Sequence, residues 1–190
     1  SLVDAVTGFW PYGGTVELSG KPLSGSPQSR ARAGLRRTFQ QDRVTPTLTA
    51  ERYLRMAARH KLSPVEMELY LAFAGIDSKH VLVGSLEGAA RRLLEVAGAF
   101  ASNPVAVLLD EPVAGLSAAE ALHFASRLVQ APVVFGSSVL VIEHDVDFVR
   151  AVCSRTIVLD FGRVIAQGKP EDVLREPVVR TAYLGQVDKP

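Results

Sequence analysis

The residues whose pattern carries the most chemistry are Asp110 and Glu111. They end the run Val105-Ala106-Val107-Leu108-Leu109 and are followed at once by Pro112. An unbroken apolar run of this kind reads as a parallel strand buried on both faces. Such a strand delivers its two acids to the edge of a sheet. The first carboxylate can hold a magnesium ion, usually through water, and the second can orient or deprotonate a water that attacks a phosphate. Ala114-Gly115-Leu116-Ser117 comes next, and a second apolar strand, Val139-Leu140-Val141-Ile142, ends in Glu143-His144-Asp145. One strand with two terminal acids can simply cap a loop, and one histidine at a strand end is more often structural. Two such strand ends in one chain favour the catalytic reading.

With these residues the chain resembles the ATP-binding subunit of ABC transporters, and the resemblance covers essentially all of it. Asp110 and Glu111 match the Walker B pair, residues 114–117 match the D-loop, and His144 matches the switch histidine. The similarity is greatest to the branched-chain amino-acid importer subgroup and its urea and amide relatives. It rests there on Arg37-Thr38-Phe39-Gln40, Ile142-Glu143-His144-Asp145 and the terminal Ala182-Tyr183-Leu184-Gly185. The resemblance implies ATP and Mg²⁺ as cofactors. It implies Glu111 as the residue that polarises water and His144 as the one that holds that water and the γ-phosphate. Asp110, with Gln40 in the Q-loop position, would serve the metal, and Ser117 would approach the nucleotide.

The family signature, Leu-Ser-Gly-Gly-Gln, falls on Leu86-Glu87-Gly88-Ala89-Ala90, with the register set by Arg92-Leu93-Leu94-Glu95. By resemblance Glu87, Gly88 and Ala89 would meet the γ-phosphate of a nucleotide held by the opposite subunit, at a helix start suited to anions. A carboxylate ~4 Å from one phosphate charge costs roughly 4 kcal/mol at an effective dielectric near 20, more than one lost hydrogen bond. Two readings follow. The signature is degenerate, or Glu87 is an acid at a helix start, four residues before Arg91 and favoured by the dipole and by pairing.

The first residues, Ser1-Leu2-Val3-Asp4-Ala5-Val6-Thr7-Gly8, read as an amphipathic helical turn that resembles the helix after a P-loop. Ser1 would then be the second hydroxyl residue of that motif and a nucleotide contact. No Gly-x-x-x-x-Gly-Lys-[Ser/Thr] occurs among the 190 residues. The expectation is an N-terminally truncated cassette that binds ATP weakly by itself.

These residues need elements to position them. Phe9-Trp10-Pro11-Tyr12-Gly13-Gly14 is a turn cluster, and residues 14–20 alternate like a strand with Val16 and Leu18 on one face. Residues 26–35 read as a short basic helix whose Arg30 and Arg32 belong on a solvated face, and residues 37–41 as a strand. Thr49 and Ser63 are N-cap residues, the second with Pro64 and Glu66 in capping positions, and Gly75 ends that helix. A third helix starts near Gly88 and turns Leu93, Leu94, Val96, Ala97 and Phe100 inward. After Asn103-Pro104 strands alternate with helices: a helix over 118–129, a strand over 138–142 and a helix over 146–152. A hairpin turns at Asp160-Phe161-Gly162, which lacks the companion motifs of a kinase, and a last helix opens at Pro170. The fold class is α/β, a mostly parallel sheet of the P-loop NTPase (RecA-like) kind with an inserted helical subdomain. Residues 1–41 and 104–190 would form the core and residues 42–103 the helical lobe.

Bulk composition narrows the function. A chain of 190 residues fits one domain. Its formal net charge of +1 gives no field to attract nucleic acid. Cys153 is the one cysteine; it cannot form an internal disulfide and sits in an apolar run that suggests a packed helix face. No apolar run approaches the ~18 residues that span a bilayer. A membrane role would come through partners. The resemblance implies a second ATP-binding subunit and transmembrane permease subunits, with this chain cytoplasmic and peripheral on the inner face of the cell membrane. The expected function is ATP binding and hydrolysis in an importer of branched-chain amino acids or related solutes. The alternatives are a non-hydrolysing regulatory subunit, the ATPase of a lipopolysaccharide-type exporter, and an interaction-only fragment. Thr38-Phe39-Gln40 and Glu143-His144 lean away from the exporter.

Overall fold

The computed structural model describes residues 1–39 and 45–184, with the backbone alone for 183 and 184. Helix α1 (Leu2–Thr7) begins because Ser1 caps it. The Ser1 hydroxyl accepts the Asp4 N–H at 3.3 Å and donates to Asp4 Oδ2 at 2.8 Å. The helix stops at Gly8, whose φ of 82° is the left-handed conformation that glycine takes without strain. Strands β1 (Glu17–Leu18) and β2 (Lys21–Pro22) form a short antiparallel hairpin. The strand expected over 14–20 is cut to two residues because Ser19 and Gly20, both at positive φ, fold the chain back on itself.

Helix α2 (Pro27–Arg32) has Ser26 at its N-cap and Pro27 in its first turn. Arg32 is exposed as expected, but Arg30 is not on a solvated face: it is 4% exposed. Its guanidinium donates to the carbonyls of Ala5 at 3.1 Å, Val6 at 2.7 Å and Gly25 at 3.2 Å, and to the Tyr12 hydroxyl at 3.0 Å. It therefore closes the carboxyl end of α1, where carbonyls without helical partners attract a cation.

Strands β3 (Leu35–Arg37), β4 (Ala106–Asp110) and β5 (Ser138–Ile142) form a parallel sheet with β4 in the middle. Leu35 pairs with Ala106, Ala106 with Ser138 and Asp110 with Ile142. Val107, Leu108 and Leu109 are 0–3% exposed, as an unbroken apolar strand requires. Strand β3 starts two residues earlier than expected. Gly34, at φ 102°, turns the chain there, and Leu35 packs with Val3, Leu23 and Leu108. Gln40 and Gln41 lie outside the described residues.

The helices between β3 and β4 are α3 (Ala50–Ala57), α4 (Pro64–Ala74) and α5 (Gly88–Phe100). Thr49 caps α3, the Ser63–Glu66 box opens α4 and Gly75 at φ 69° closes it, each as expected. Leu93, Leu94, Val96 and Ala97 of α5 are fully buried. Between β4 and β5 come α6 (Ala118–Leu128) and α7 (Ala131–Phe135). No helix was expected between the helix ending at 129 and the strand starting at 138. Pro132 sits in the first turn of α7, where it is tolerated, and packing secures the helix. Phe135 stacks on Phe100 and Tyr70, with ring centroids 4.6 and 5.4 Å away.

The chain divides into two compact units that part between Glu143 and His144. The second contains α8 (Val146–Val152), the antiparallel pair β6 (Thr156–Asp160) and β7 (Arg163–Gly168), α9 (Pro170–Val173) and α10 (Pro177–Val179). Phe161 and Gly162, at φ 44° and 79°, make the hairpin turn. Val158, Ala166, Val173 and Val179 are this unit's own core. Cys153 is not inside a helix face but is the C-cap of α8, and burial pushes its thiol pKa up. No described helix is long and apolar enough to cross a membrane.

One close approach tests the packing of the helical lobe. A Cβ on Gly98 of α5 would stand 2.7 Å from the Tyr53 ring of α3. Gly98→Leu is expected to cost about 1–3 kcal/mol through overpacking, despite the better helix propensity of leucine. Urea denaturation should show a lower midpoint with an unchanged slope. An unchanged midpoint would mean that α3 does not lie against α5 at this point.

Candidate functional site

Strand β4 ends where its sheet ends. Asp110 keeps the strand register, but Glu111 leaves it with φ 48°, a backbone region uncommon for a residue that carries a Cβ. Its N–H still bonds the Ile142 carbonyl at 2.9 Å. The backbone therefore turns Glu111 out of the strand while the sheet holds its amide. The loop that follows is tight. Ala114 N–H donates to the Glu111 carbonyl at 3.2 Å, Leu116 N–H to the Val113 carbonyl at 3.1 Å, and Gly115 takes φ 79°. Glu143, at the end of β5, accepts the Val113 N–H at 3.1 Å, so this carboxylate holds the loop down.

Arg37, the last residue of β3, supplies the cation at this edge. Its Nη1 lies 2.6 Å from Asp4 Oδ1 and its Nη2 lies 2.9 Å from Asp110 Oδ2, with the side chain 12% exposed. Nη1 also donates to Thr7 Oγ1 at 3.3 Å. The guanidinium packs by the rings of Phe9 and Phe39, 5.9 and 4.9 Å from their centroids. Arg37, and after it the Ser1 hydroxyl, holds the Asp4 carboxyl at a pKa of about 2. The chain Ser1–Asp4–Arg37–Asp110 thus joins two of the predicted residues through two that were not predicted. Arg37 figured in the sequence only as part of the family resemblance. Its neighbour in the sheet is Leu108, two residues before Asp110, and that pairing is what puts it beside the acid.

A second cluster lies at the start of α5. Glu87 is the N-cap residue, yet it makes no side-chain cap hydrogen bond. A carboxylate of α6, that of Glu120, comes close to this helix start. Glu120 Oε2 accepts the Ser117 hydroxyl at 2.6 Å and the Ser117 N–H at 2.8 Å. The Ser117 hydroxyl is the largest of the influences that lower the Glu120 pKa. Gly88 is pressed against the same residues: a Cβ there would stand 3.2 Å from Leu116 Cδ2 and 3.3 Å from Glu120 Oε1. Gly88, Ala89 and Ser117, all predicted as nucleotide contacts, are therefore brought together. Glu120 is not among the predicted residues, although Ser117-Ala118-Ala119-Glu120 is a legible capping box.

His144 opens the second unit, just before Asp145, whose Oδ1 accepts the Phe148 N–H at 3.0 Å and so caps α8. Gln40 lies outside the described residues. Among the described residues no group of three or more His, Cys, Asp or Glu is placed to hold a metal. Arg37 occupies Asp110 Oδ2, so a magnesium ion there would rest on one carboxylate and take its other oxygens from water and phosphate. That is the usual donor set of magnesium beside a nucleotide, and the site fits it.

Comparisons with known proteins give the family. The family model described as ABC transporter matches residues 1–114, and the model described as branched-chain amino acid ATP-binding cassette transporter matches residues 163–189. The high-affinity branched-chain amino acid transport ATP-binding protein LivG of Salmonella typhimurium is 31% identical over 209 aligned residues, covering 98% of this chain and 82% of that protein. The lipopolysaccharide export system ATP-binding protein LptB of Acidithiobacillus ferridurans is 32% identical and covers 92% of this chain and 75% of its own. Among solved structures, a nucleotide-free ATP-binding cassette from an ABC transporter superposes with a TM-score of 0.81 at 24% identity, over 97% of this chain and 83% of that one. At that identity the likeness speaks for the fold.

The Arg37 bridge has a pH signature. The folded Asp4 pKa of about 2 is below the ordinary 3.8, so its ionised form favours the fold above the ordinary value. That contribution is lost as pH falls through about 2. Arg37→Met should return the Asp4 midpoint toward the ordinary range and flatten this acid limb of the stability curve. Carboxyl-carbon NMR titration measures it directly. A midpoint left unmoved would show that Arg37 is not the cause.

Proposed function

The chain belongs to the ATP-binding subunits of ABC transporters, in their branched-chain amino-acid group, and on that premise we propose that it couples ATP hydrolysis to the import of branched-chain amino acids or related small solutes. The observation that carries the reading is the end of β4, where Asp110 stays in the sheet and Glu111 is turned out of it beside a loop anchored by Glu143. We assign Glu111 to orienting and deprotonating the attacking water, and His144, by its match to the switch histidine, to the water and the γ-phosphate. Asp110 and Gln40 would hold Mg²⁺, which supplies charge neutralisation on the phosphate oxygens when bound. Ser1 would face the nucleotide of this subunit. Glu87, Gly88, Ala89 and Ser117 would face that of a second ATP-binding subunit paired head to tail.

Residues 1–41 and 104–190 are the nucleotide-binding core in this proposal, and residues 42–103 the lobe that meets a transmembrane permease. The assembly would sit on the inner face of the cell membrane. The similarity to LivG supports the solute class, while the similarity to LptB keeps an exporter as an outcome of the test. Transport of radiolabelled leucine by the reconstituted complex separates them: uptake supports the importer, and its absence with ATPase activity intact refutes it. A second reading, a subunit with a silent signature, is favoured by Glu87 in the place of the signature serine.

Two expected outcomes follow. In the assembled transporter, Glu111→Gln should lower ATP turnover by about 10²-fold or more while nucleotide binding survives, since the amide keeps the shape and loses the base. Undiminished turnover in this variant would remove Glu111 from the mechanism. Replacing Glu87 by Ser, Ala89 by Gly and Ala90 by Gln should speed the site that this signature completes if the native one is degenerate. Equal turnover by the native and replaced homodimers would instead assign Glu87 to the helix start alone.

A further inference from the structure

Glu111 holds a conformation that its own sequence does not favour. A φ of 48° is uncommon for a residue with a Cβ, and a residue before proline is ordinarily pushed to extended backbone. A conformation of this kind persists only where the surrounding structure fixes it. From Glu111 to Ala114 the chain offers three N–H groups, because Pro112 has none. The Glu111 N–H donates to the Ile142 carbonyl at 2.9 Å, and the Ala114 N–H to the Glu111 carbonyl at 3.2 Å. The Val113 N–H donates to Glu143 Oε1 at 3.1 Å. The first two acceptors are backbone carbonyls, which a side-chain substitution leaves in place; the third is a side chain. Ile142 and Glu143 are successive residues, so the end of β5 grips the chain on both sides of Pro112. The grip lies in packed surroundings, with Pro112 fully buried and Val113 7% exposed. A donor in such a place loses more without its acceptor than one at the surface.

We propose that Glu143 is a positioning residue for hydrolysis: by holding the Val113 N–H it keeps Glu111 in the left-handed conformation that turns Glu111 out of the sheet. The proposal rests on the reading of Glu111 as the residue that deprotonates the attacking water. It asks of Glu143 an acceptor oxygen and not a proton. Glutamine provides that oxygen and cannot serve as a base, so it separates a clamp from a second base. Alanine removes both. The placement of a general base governs the chemical step more than it governs nucleotide binding, and a small displacement of it is costly. The loss therefore belongs in kcat.

Two measurements test this. On the chain alone, without nucleotide, NMR follows the intraresidue amide–Hα Overhauser effect of Glu111, which is strong at positive φ, and hydrogen exchange at Val113. Glu143→Ala is expected to weaken the first and to speed the second by about tenfold or more, the loss expected for a hydrogen bond to a charged group. Glu143→Gln should keep both close to the wild type. In the assembled transporter, Glu143→Ala should lower kcat for ATP by about tenfold or more, with KM changed far less. Glu143→Gln should recover kcat to within about threefold of the wild type, the difference between a charged and a neutral acceptor. An unchanged Overhauser effect in Glu143→Ala overturns the proposal. So does full turnover in that variant, or a Glu143→Gln protein as slow as the alanine one. If Glu143→Ala does not fold, Glu143→Gln decides: kept turnover supports the clamp and lost turnover refutes it. If Glu111→Gln leaves turnover undiminished, the reading of Glu111 fails, while the Overhauser measurement still decides whether Glu143 holds its backbone.

Discussion

The guanidinium of Arg37 lets two acids from distant parts of the chain stand at one end of the parallel sheet. Asp4 belongs to α1 and Asp110 to β4, and each ends within hydrogen-bond reach of Arg37. Two part-buried carboxylates in that position would repel without a cation between them. The planar guanidinium meets both at once, and the rings of Phe9 and Phe39 keep it in place. Lysine would offer a point charge there and lose the geometry. Because α1 is itself capped by Ser1 and closed by Arg30, the pair of arginines anchors the first helix at both ends.

Around this anchor the sheet does two different things with neighbouring acids. It keeps Asp110 in register and neutralises it, and it expels Glu111 by a change of backbone conformation. The proposed chemistry uses that division. A carboxylate meant to hold a cation gains from a fixed, part-buried position, while one meant to handle a proton must reach the reacting water. Glu143 takes a third role, as acceptor for the loop amide of Val113. Three acids at one sheet edge thus stand in three settings, each set by the backbone group or side chain beside it.

The helix start at Gly88 shows the same economy in the opposite sense. One of the two expected readings was an acid at its own helix start, and Glu87 makes no side-chain cap hydrogen bond there. Glu120, from an element thirty residues away in the chain, comes close to that first turn at Gly88. The small residue at 88 matters more than the acid at 87, since the space above its Cα admits the carboxylate.

Much of the fold was legible without coordinates, for local reasons. Capping residues announce helix starts because their side chains satisfy the N–H groups next to them, and Thr49, Ser63 and the glycine at 75 behave that way. An unbroken apolar run announces a parallel strand because it has no solvated face, and β4 does so. The α/β class and the family were accessible for the same reason: the motifs are short and contiguous. What the sequence could not decide were the partners of charges. Arg30 reads as a surface residue on a short basic helix and is buried, since the carbonyls it closes belong to another helix. Arg37 meets Asp110 only through the lateral pairing of β3 with β4, and Glu120 comes close to Gly88 only through the packing of α6 by α5. Helix α7 exists because Phe135 finds a stack of rings. Periodicity and capping operate over a few residues along the chain; ion pairs and ring stacks operate over a few ångströms in space, and only the tertiary fold converts one distance into the other.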